Sequence, residues 1–561
     1  MGHTKIYGLL VAVAFLLAGC STPESAPKIA PTRAPVTPSS SPSLPQTLTP
    51  TLYPMASMTP TPTLSPTASL PLSPTLSPMA SLTPTPTASA TVTVPLSATG
   101  PWLAIFSNGL SSDGLWVANA DGTALMQLAN NEQTGGNPEV AIAPHGGRIA
   151  FVLPPDMPQD TQGYNPQLML VTLPSLSIRP LAYLLPAKPL ESTSSDEVDP
   201  NGEIFDAVFN DHSLAWSPTS MYLAFASAYP GPSSDLDVYS TIDHSVNRLT
   251  SGPTQTIDLS WSLNGHYVVS VGATKMNSMS GGSSGPILGS VWAVRPDGSD
   301  LHISYTYPDD FDAWPISLGW LNNNAYLEYY DRLGCGVQGL TFIDAIASQH
   351  YQPIPGAFGS TAIDPATGTL LTMVPPAPDP AMDCGLAPAT GLYLMSAFGN
   401  PPPRQIAYEG IVGSGNVPQV LGWSATAHVF FMSAGNGIFT VNLEGQITPV
   451  DIPNIYSSNT LYSNVNGQAT VFKVSPNGRE WALFSSEGLW IASPDHPSKQ
   501  ISLDSIDDVL WSPDGSALLF IANATLYRVN LPDYQVQTLA GPFSTGDSGN
   551  TGSFKLAWVM P

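Results

Sequence analysis

The segment that decides the fold is Trp511-Ser512-Pro513-Asp514-Gly515, which stands just before the apolar run Ala517–Ile521. Asp-Gly supplies the positive φ of a tight turn, and a short apolar run bounded by turn residues is typical of a buried strand. This unit recurs clearly at Trp216–Pro218, more weakly at Trp261–Gly265 and Val474–Gly478, and in degenerate form at Ala143–Gly147, Trp320–Asn322, Ile363–Pro365 and Trp423–Ser424. The anchors lie from 37 residues (474 to 511) to 73 residues (143 to 216) apart, around the period of a four-stranded propeller blade.

The two ends of the repeat region contribute one further unit. Leu556–Val559 matches the first half of an anchor unit, and Trp102–Phe106 matches the second half. We therefore predict an all-β fold, a single closed β-propeller of four-stranded blades over residues 99–561, whose ring is closed by the N- and C-terminal strands. Eight anchors and the split unit make nine blades, whereas common propellers have four to eight, so we predict eight or nine.

The repeats resemble the WD-like propeller repeats of the TolB family, with Trp511–Gly515 as the closest match. The resemblance covers about Trp102 to Trp558 and implies the fold rather than an activity. TolB proteins carry a separate domain ahead of their propeller. A different kind of segment stands in that place here, so the resemblance implies no TolB partner.

Residues 1–20 have the pattern of a bacterial secretory signal, with an apolar run from Ile6 to Leu17 and a small-residue site before Cys20. Leu17-Ala18-Gly19-Cys20 resembles the lipobox of bacterial lipoproteins, whose cysteine is lipidated. The resemblance implies lipidation of Cys20, a membrane anchor, and a position on the extracellular or periplasmic side of the cell membrane. A transmembrane helix is the alternative, but the run is shorter than the roughly 20 residues that a bilayer requires.

Residues 21–98 are mostly Pro, Ser, Thr, Ala and Leu. Proline removes backbone donors and fixes φ, so we predict a disordered or polyproline II stalk. At about 3.1 Å per residue, such a stalk would hold the propeller up to roughly 200 Å from the membrane. An unselected flexible linker is the alternative interpretation.

The charge balance excludes one class of partner. The chain has 16 Lys and Arg against 41 Asp and Glu, which gives a formal net charge of −25. Such a field repels phosphate backbones, so we expect no nucleic acid partner. We expect a monomer that binds a protein or a glycan on one propeller face.

Two cysteines remain after Cys20. Cys335 and Cys384 fall in equivalent loops of adjacent predicted blades, which lie side by side in a propeller. In an oxidising compartment we predict a disulfide between them, with two free thiols as the alternative.

The most acidic stretch, Asp196–Asp206, aligns in part with a calcium-binding EF-hand loop. The candidate ligands are Glu197, Asp199, Asn201, Glu203 and Asp206. The twelfth position is Val208 instead of a bidentate Glu and no helices are predicted to flank the loop, so a solvated acidic insertion is the favoured interpretation and a calcium site is the alternative. We predict no cofactor, and calcium is the one alternative that these residues leave open.

Catalytic motifs give little support for an enzyme. The histidines lack zinc-binding spacing, and Gly281–Gly285 has the form Gly-X-Ser-X-Gly without the strand and helix of a nucleophile elbow. We therefore expect a lipid-anchored binding or scaffolding module for a protein, glycan or cell-wall ligand. The alternative is an extracellular propeller hydrolase or lyase that acts on carbohydrate.

Overall fold

The computed structural model describes residues 94–561 except 109–113, 130–139, 154–165, 187–199, 210–212, 230, 277–285, 313, 322–324, 333–336, 352–359, 375–389, 399, 409, 411–417, 435–436, 451–470, 486–487, 494–495 and 544–552. The described residues fall in one compact unit, Ser89–Pro561. Strands dominate this part of the chain and pair into nine four-stranded antiparallel sheets, numbered 1 to 9 in chain order.

Sheets 1 to 3 contain β1 (Trp102–Asn108), β2 (Leu115–Asn119), β3 (Met126–Ala129), β4 (Val140–Ile142), β5 (Arg148–Leu153), β6 (Gln167–Thr172), β7 (Ser177–Tyr183), β8 (Leu214–Trp216), β9 (Tyr222–Ser227), β10 (Asp235–Ser240) and β11 (Val246–Arg248). Sheets 4 to 6 contain β12 (Gln255–Trp261), β13 (Val268–Lys275), β14 (Ile287–Val294), β15 (His302–Asp312), β16 (Trp314–Trp320), β17 (Ala325–Arg332), β18 (Val337–Asp344), β19 (Gln349–Tyr351), β20 (Thr361–Asp364), β21 (Thr369–Val374), β22 (Gly391–Ser396) and β23 (Arg404–Ile406). Sheets 7 to 9 contain β24 (Gln419–Ser424), β25 (Val429–Ala434), β26 (Gly437–Asn442), β27 (Ile447–Val450), β28 (Val471–Val474), β29 (Trp481–Ser485), β30 (Gly488–Ala492), β31 (Lys499–Ser502), β32 (Ile506–Trp511), β33 (Ala517–Ala522), β34 (Thr525–Asn530) and β35 (Gln535–Ala540). The last strand, β36 (Ser553–Val559), belongs to sheet 1, and the helix α1 (Pro200–Val208) lies between β7 and β8.

Each of sheets 2 to 9 is a meander of four consecutive strands. Sheet 1 is different because its order is β3-β2-β1-β36, so it joins strands from the start and the end of the described chain. The pairing of β1 with β36 runs from Trp102 opposite Val559 to Asn108 opposite Ser553. We call β36 and the first strand of each other sheet the inner strands, because they contact the inner strands of neighbouring sheets, as β4 contacts β8 and β32 contacts β36.

Burial follows the position of a strand in its sheet. All six residues of β33 are buried, whereas the outermost strand of the same sheet, β35, has no buried residue. A middle strand is covered on both faces by the neighbouring sheets, which explains why its sequence is a continuous apolar run instead of an alternating one.

The apolar core of the described residues consists of nine clusters, and eight of them combine side chains of two sheets that are neighbours in chain order. Trp102 of sheet 1 packs with Phe151 of sheet 2, for example. One cluster joins sheet 9 to sheet 1 through Leu526 and Phe554. Four-stranded antiparallel sheets that pack on one another in this way form a β-propeller.

The recurring anchors explain how each turn is held. In four of them the serine Oγ accepts the backbone N–H of the residue five positions later, at 2.9–3.1 Å, in the pairs Ser217–Tyr222, Ser262–Tyr267, Ser475–Glu480 and Ser512–Ala517. Asp514 accepts a hydrogen bond from Ser512, and Gly515 adopts a φ of 71°, which an L side chain rarely takes. The motif therefore builds the turn between an inner strand and the next strand of its sheet.

The anchor tryptophans join neighbouring sheets. Their indole N–H groups donate to a carbonyl of the preceding inner strand at 2.6–3.1 Å, in the pairs Trp216–Ala141, Trp261–Ala215, Trp511–Lys473 and Trp558–Trp511. The bond from Trp558 links sheet 1 to sheet 9 in the same manner as the others. A tryptophan at this position thus supplies both buried area and a directed polar contact.

Candidate functional site

A cleft with about 90 Å³ of free volume lies between sheets 3 and 4. Its lining combines an aromatic ring, hydroxyl groups, a carboxylate and backbone, contributed by Asp235, Thr250, Ser251, Gly252, Thr254, Thr256, Ser270, Gly272, Trp292 and Leu301. Most of these residues come from the segment that connects β11 to β12 and from the middle of β13 and β14.

Strand register explains the wall of the cleft in sheet 4. Ser270 of β13 lies opposite Trp292 of β14, so the indole and a hydroxyl group stand side by side on one face. Gly272 leaves the space beside them open, since a Cβ there would lie 3.1 Å from the Thr254 Oγ1. An apolar ring surrounded by hydroxyl groups suits a ligand that has both C–H and O–H faces.

A buried ion network holds the sheet 3 side of the cleft. Asp235 is only 2% exposed. Its Oδ2 accepts a hydrogen bond from Arg248 Nη1 at 3.0 Å, and its Oδ1 accepts the backbone N–H of Gly252 at 2.8 Å. Because charge-assisted hydrogen bonds are strong, this carboxylate fixes the loop that lines the cleft.

A second buried carboxylate shares the same guanidinium. Arg248 Nη2 donates to Asp237 Oδ2 at 3.3 Å, and Ser227 also donates to this carboxylate. Burial raises the pKa of Asp237, although the Ser227 hydrogen bond and the charge of Arg248 lower it. Asp235 and Asp237 are buried and the partly exposed Arg248 lies against them, because register pairs Asp237 with Arg248 and Asp235 with Ser227.

A separate polar group lies on the inner strands of sheets 8, 9 and 1. Lys473 Nζ donates to Asp508 Oδ1 at 2.7 Å, and Asp508 Oδ2 accepts the backbone N–H of Leu556 at 2.8 Å. Asp508 therefore ties three inner strands together. It lies at a β-bulge in the pairing of β32 with β33.

The bulge places a second carboxyl group, Asp507, next to Asp508. Asp507 is half-buried, and its pKa rises from 3.8 to about 6 because burial disfavours its charged form and Asp508 repels it. A carboxyl group with such a pKa can both give and take a proton near neutral pH.

The segment predicted as a calcium loop has a different structure. Residues from Pro200 onward form α1, so Asn201, Glu203 and Asp206 lie on a helix instead of a loop. Burial raises the pKa of both Glu203 and Asp206. At Glu203, a hydrogen bond from the backbone N–H of Met276 and the positive charge of Lys275 lower the pKa and offset part of this rise. Glu197 and Asp199 lie outside the described residues. Within the described part, no three His, Cys, Asp or Glu residues form a group that could hold a metal ion, and calcium binding stays an untested prediction.

Two other predicted sites, the lipidation site Cys20 and the disulfide between Cys335 and Cys384, also lie outside the described residues. The lipid anchor and the disulfide therefore stay predictions. In the described part of the chain, no helix combines the length and the apolar character needed to cross a membrane.

Motif analysis missed the residues that form the cleft. The available signal was the alternation Asp235-Leu236-Asp237, which places two acids on one face of a strand. Their partner, Arg248, follows an intervening turn, and the aromatic wall comes from the next sheet. Only the register of the strands brings these groups together.

No protein-family model matches the chain, and no curated protein matches its sequence. Among solved structures it is similar to TolB from Acinetobacter baumannii, with 12% identity, a TM-score of 0.28, and coverage of 53% of this chain and 62% of that one. It is also similar to a periplasmic gluconolactonase of Pseudomonas aeruginosa, with 12% identity, a TM-score of 0.32, and coverage of 82% of this chain and 100% of that one. An oligogalacturonate lyase in complex with manganese has 12% identity, a TM-score of 0.31, and coverage of 57% of this chain and 74% of that one. These similarities concern the propeller fold and not the activity of this chain.

Proposed function

We propose that this protein is a lipid-anchored cell-surface module whose propeller binds a neutral glycan in the cleft between sheets 3 and 4. The cleft itself is the observation that carries the proposal. The Trp292 ring offers an apolar face for sugar C–H groups, and the hydroxyl groups of Ser251, Thr254, Thr256 and Ser270 in the same lining offer hydrogen bonds. The ion network of Asp235 and Arg248 holds the lining in place before a ligand arrives, which lowers the ordering cost of binding.

We infer that the nine sheets are the blades of one closed ring. The cyclic order of the nine core clusters supports this, since each sheet shares one cluster with the sheet before it and one with the sheet after it. The pairing of β1 with β36 would then leave no open sheet edge between the ends of the chain.

The proposed location rests on Leu17–Cys20 and on the Pro-rich residues 21–98. A lipid on Cys20 would tether the chain to the membrane, and an extended stalk would let the propeller reach polymers of the cell envelope. Labelling with palmitate, compared with a Cys20→Ser variant, tests this part separately. The anchor is refuted if both chains incorporate the same label.

Charge narrows the class of glycan. With a formal charge of −25, the protein repels polyanions at low ionic strength. The buried side of the cleft is also acidic, because two carboxylates face one guanidinium in the Asp235, Asp237 and Arg248 network. A neutral polysaccharide therefore fits the cleft better than a polyuronate or a sulfated chain.

The experiment is a thermal-melt and calorimetry panel on the full chain with chitin, cellulose and starch oligosaccharides, mannan, and polygalacturonate as the charged comparison. A ligand present at 100 times its Kd stabilises the fold by about 2.7 kcal/mol. Trp292→Ala removes the stacking surface, and we expect a loss of about 2 kcal/mol in binding, or a roughly thirtyfold weaker Kd.

A pair of glycine variants provides a matched control. Gly272→Ala adds a methyl group inside the cleft, where Thr254 is 3.1 Å away, whereas Gly422→Ala adds one on β24, where no atom lies within 4 Å. We expect weaker binding only for the first. The proposal fails if no neutral glycan binds, or if Trp292→Ala folds and binds like the wild type; a flat panel would redirect the search to a protein ligand.

Asp507 favours a second candidate function, a hydrolase or lyase that acts on carbohydrate. Its pKa of about 6 suits a general acid or base. The test is the release of new reducing ends from the same polysaccharides by the wild type and by Asp507→Asn. Turnover that disappears in the variant supports an enzyme, and an absence of turnover in the wild type refutes one for these substrates.

A further inference from the structure

A pair of exposed, stacked tyrosines lies at the junction of sheets 2 and 3. Tyr183 is 43% exposed and Tyr229 is 45% exposed, although both are large aromatic residues. Their ring centroids are 5.4 Å apart and the planes differ by 24°. Among the described residues, neither hydroxyl group has a hydrogen-bond partner. The pair therefore presents outward aromatic faces and unused hydroxyl groups at the surface.

The pair stands at the same end of sheet 3 as the cleft. Because sheet 3 is antiparallel, the end of β9, the start of β10 and the end of β11 lie at the same end of the sheet. The loop that follows β11 leads from this end to β12. Tyr229 follows β9 and Asp235 begins β10. The two loops also touch, because a Cβ on Gly252 would lie 2.8 Å from the Ser233 Oγ.

The tyrosines are held in position by the backbone. The N–H of Ala228, next to Tyr229, donates to the carbonyl of Leu184, next to Tyr183, at 2.7 Å. This bond joins the segment after β9 to the end of β7 and so keeps the two rings together. A rigid aromatic surface loses little conformational entropy on binding, which is why such surfaces make effective contact sites.

We propose that the Tyr183–Tyr229 pair is a second subsite for the same glycan, so that the ligand is a chain and not a single sugar. One end of the glycan would occupy the cleft at Trp292. The rest of the glycan would pass over the loops next to Asp235 and stack on the two tyrosines. This inference rests on the proposed function and names its ligand more narrowly, as a neutral polysaccharide segment of several units.

The test measures Kd along a ladder of chito-oligosaccharides from dimer to hexamer, with cello-oligosaccharides in parallel. For the wild type we expect a step in affinity at the length that reaches both sites. The double variant Tyr183→Ala/Tyr229→Ala should weaken hexamer binding roughly tenfold, which corresponds to about 1.4 kcal/mol, and leave dimer binding within about twofold. Trp292→Ala should weaken both.

Two further variants separate stacking from stability. Tyr229→Phe keeps the ring and should retain most of the hexamer affinity. Ile242→Ala removes an apolar side chain that is 66% exposed on the β10–β11 turn, at the opposite end of sheet 3, and should change neither Kd. Near-ultraviolet circular dichroism confirms that each variant is folded.

The outcomes distinguish this inference from the proposed function. If Trp292→Ala weakens binding but the folded tyrosine variant binds the hexamer like the wild type, the second subsite is refuted and the cleft stands. An equal loss for dimer and hexamer also refutes it. If the wild type binds no oligosaccharide of either ladder or of the wider panel, the proposed function fails and this inference fails with it.

Discussion

Replacement of Asp507 by Asn should stabilise the fold at neutral pH and have little effect in acid. Asp507 is half-buried beside Asp508, and its pKa is about 6 compared with 3.8 for the exposed group. Above pH 6 the folded chain must therefore hold a charge that its environment disfavours. Below pH 3.8 the group is neutral in both states, so the penalty is absent. Asn is neutral at every pH and removes the penalty wherever it exists.

The magnitude follows from the shift in pKa. A difference of about two pH units at 1.36 kcal/mol per unit sets a ceiling of about 3 kcal/mol. Solvent reaches part of the side chain and screens its charge, so the expected gain is about 1–2 kcal/mol at pH 7.5. The penalty on the wild type develops as the pH rises from 3.8, where the unfolded chain ionises, to about 6, where the folded chain ionises. Most of the gain from Asp507→Asn should therefore be absent at pH 4.

Urea unfolding of the full chain at pH 4, 5, 6 and 7.5 measures this difference directly. Asp504→Asn is the matched control, because Asp504 is an exposed carboxylate three residues earlier. It should change the free energy of unfolding by no more than about 0.5 kcal/mol at any pH. A gain for Asp507→Asn that is the same at pH 4 and 7.5 would show that ionisation is not its cause, and no gain at pH 7.5 would refute the burial argument.

Two other variants test the polar contacts that join strands and sheets. Arg248→Ala leaves Asp235 and Asp237 buried without their cation and should lower the free energy of unfolding by about 3 kcal/mol or more. Addition of Asp237→Asn should restore part of this loss. Urea unfolding measures both variants, and a loss below about 1 kcal/mol for Arg248→Ala would contradict the ion network. Trp558→Phe removes the indole bond to the Trp511 carbonyl between sheets 1 and 9 and should cost about 1 kcal/mol beyond any packing change, with Trp511→Phe as its counterpart one sheet earlier. Calorimetric melts that show an effect only for Trp511→Phe would mean that the indole of the last strand does not stabilise the contact between sheets 1 and 9.

The fold could be predicted because each repeat specifies its own turn locally. Ser512, Asp514 and Gly515 build the turn through bonds to residues within five positions, so the motif has the same meaning wherever it occurs. The all-β class and the four-stranded antiparallel sheets are confirmed. The assignment of Leu556–Val559 and Trp102–Phe106 to one unit agrees with the observed pairing of β36 with β1.

The helix α1 was not predicted, and its length explains why. Nine residues are too few for a stable isolated helix, so its formation depends on tertiary contacts. Ile204 and Val208 pack into the cluster between sheets 2 and 3, while Ala207 packs into the one between sheets 4 and 5. The acidic residues around them suggested a cation-binding loop because the sequence does not reveal those neighbours.

The candidate site depends on information that no local motif contains. Asp237 and Arg248 face each other because a turn of defined length sets the register of β10 and β11, and a slip of one residue would place Arg248 on the opposite face. The same register places Asp235, the first residue of β10, in the lining of the cleft. The segment that carries Tyr229 follows β9 at the same end of sheet 3. In the proposed site the repeats supply a rigid frame, and the irregular segments between β9 and β10 and between β11 and β12 contribute Tyr229 and the loop at Gly252. Tyr229→Phe and the double tyrosine variant change the connection after β9, whereas Trp292→Ala removes a side chain of the strand β14. None of them alters the anchors, so a comparison of their effects on binding by folded protein would separate the contribution of the connections from that of the sheets.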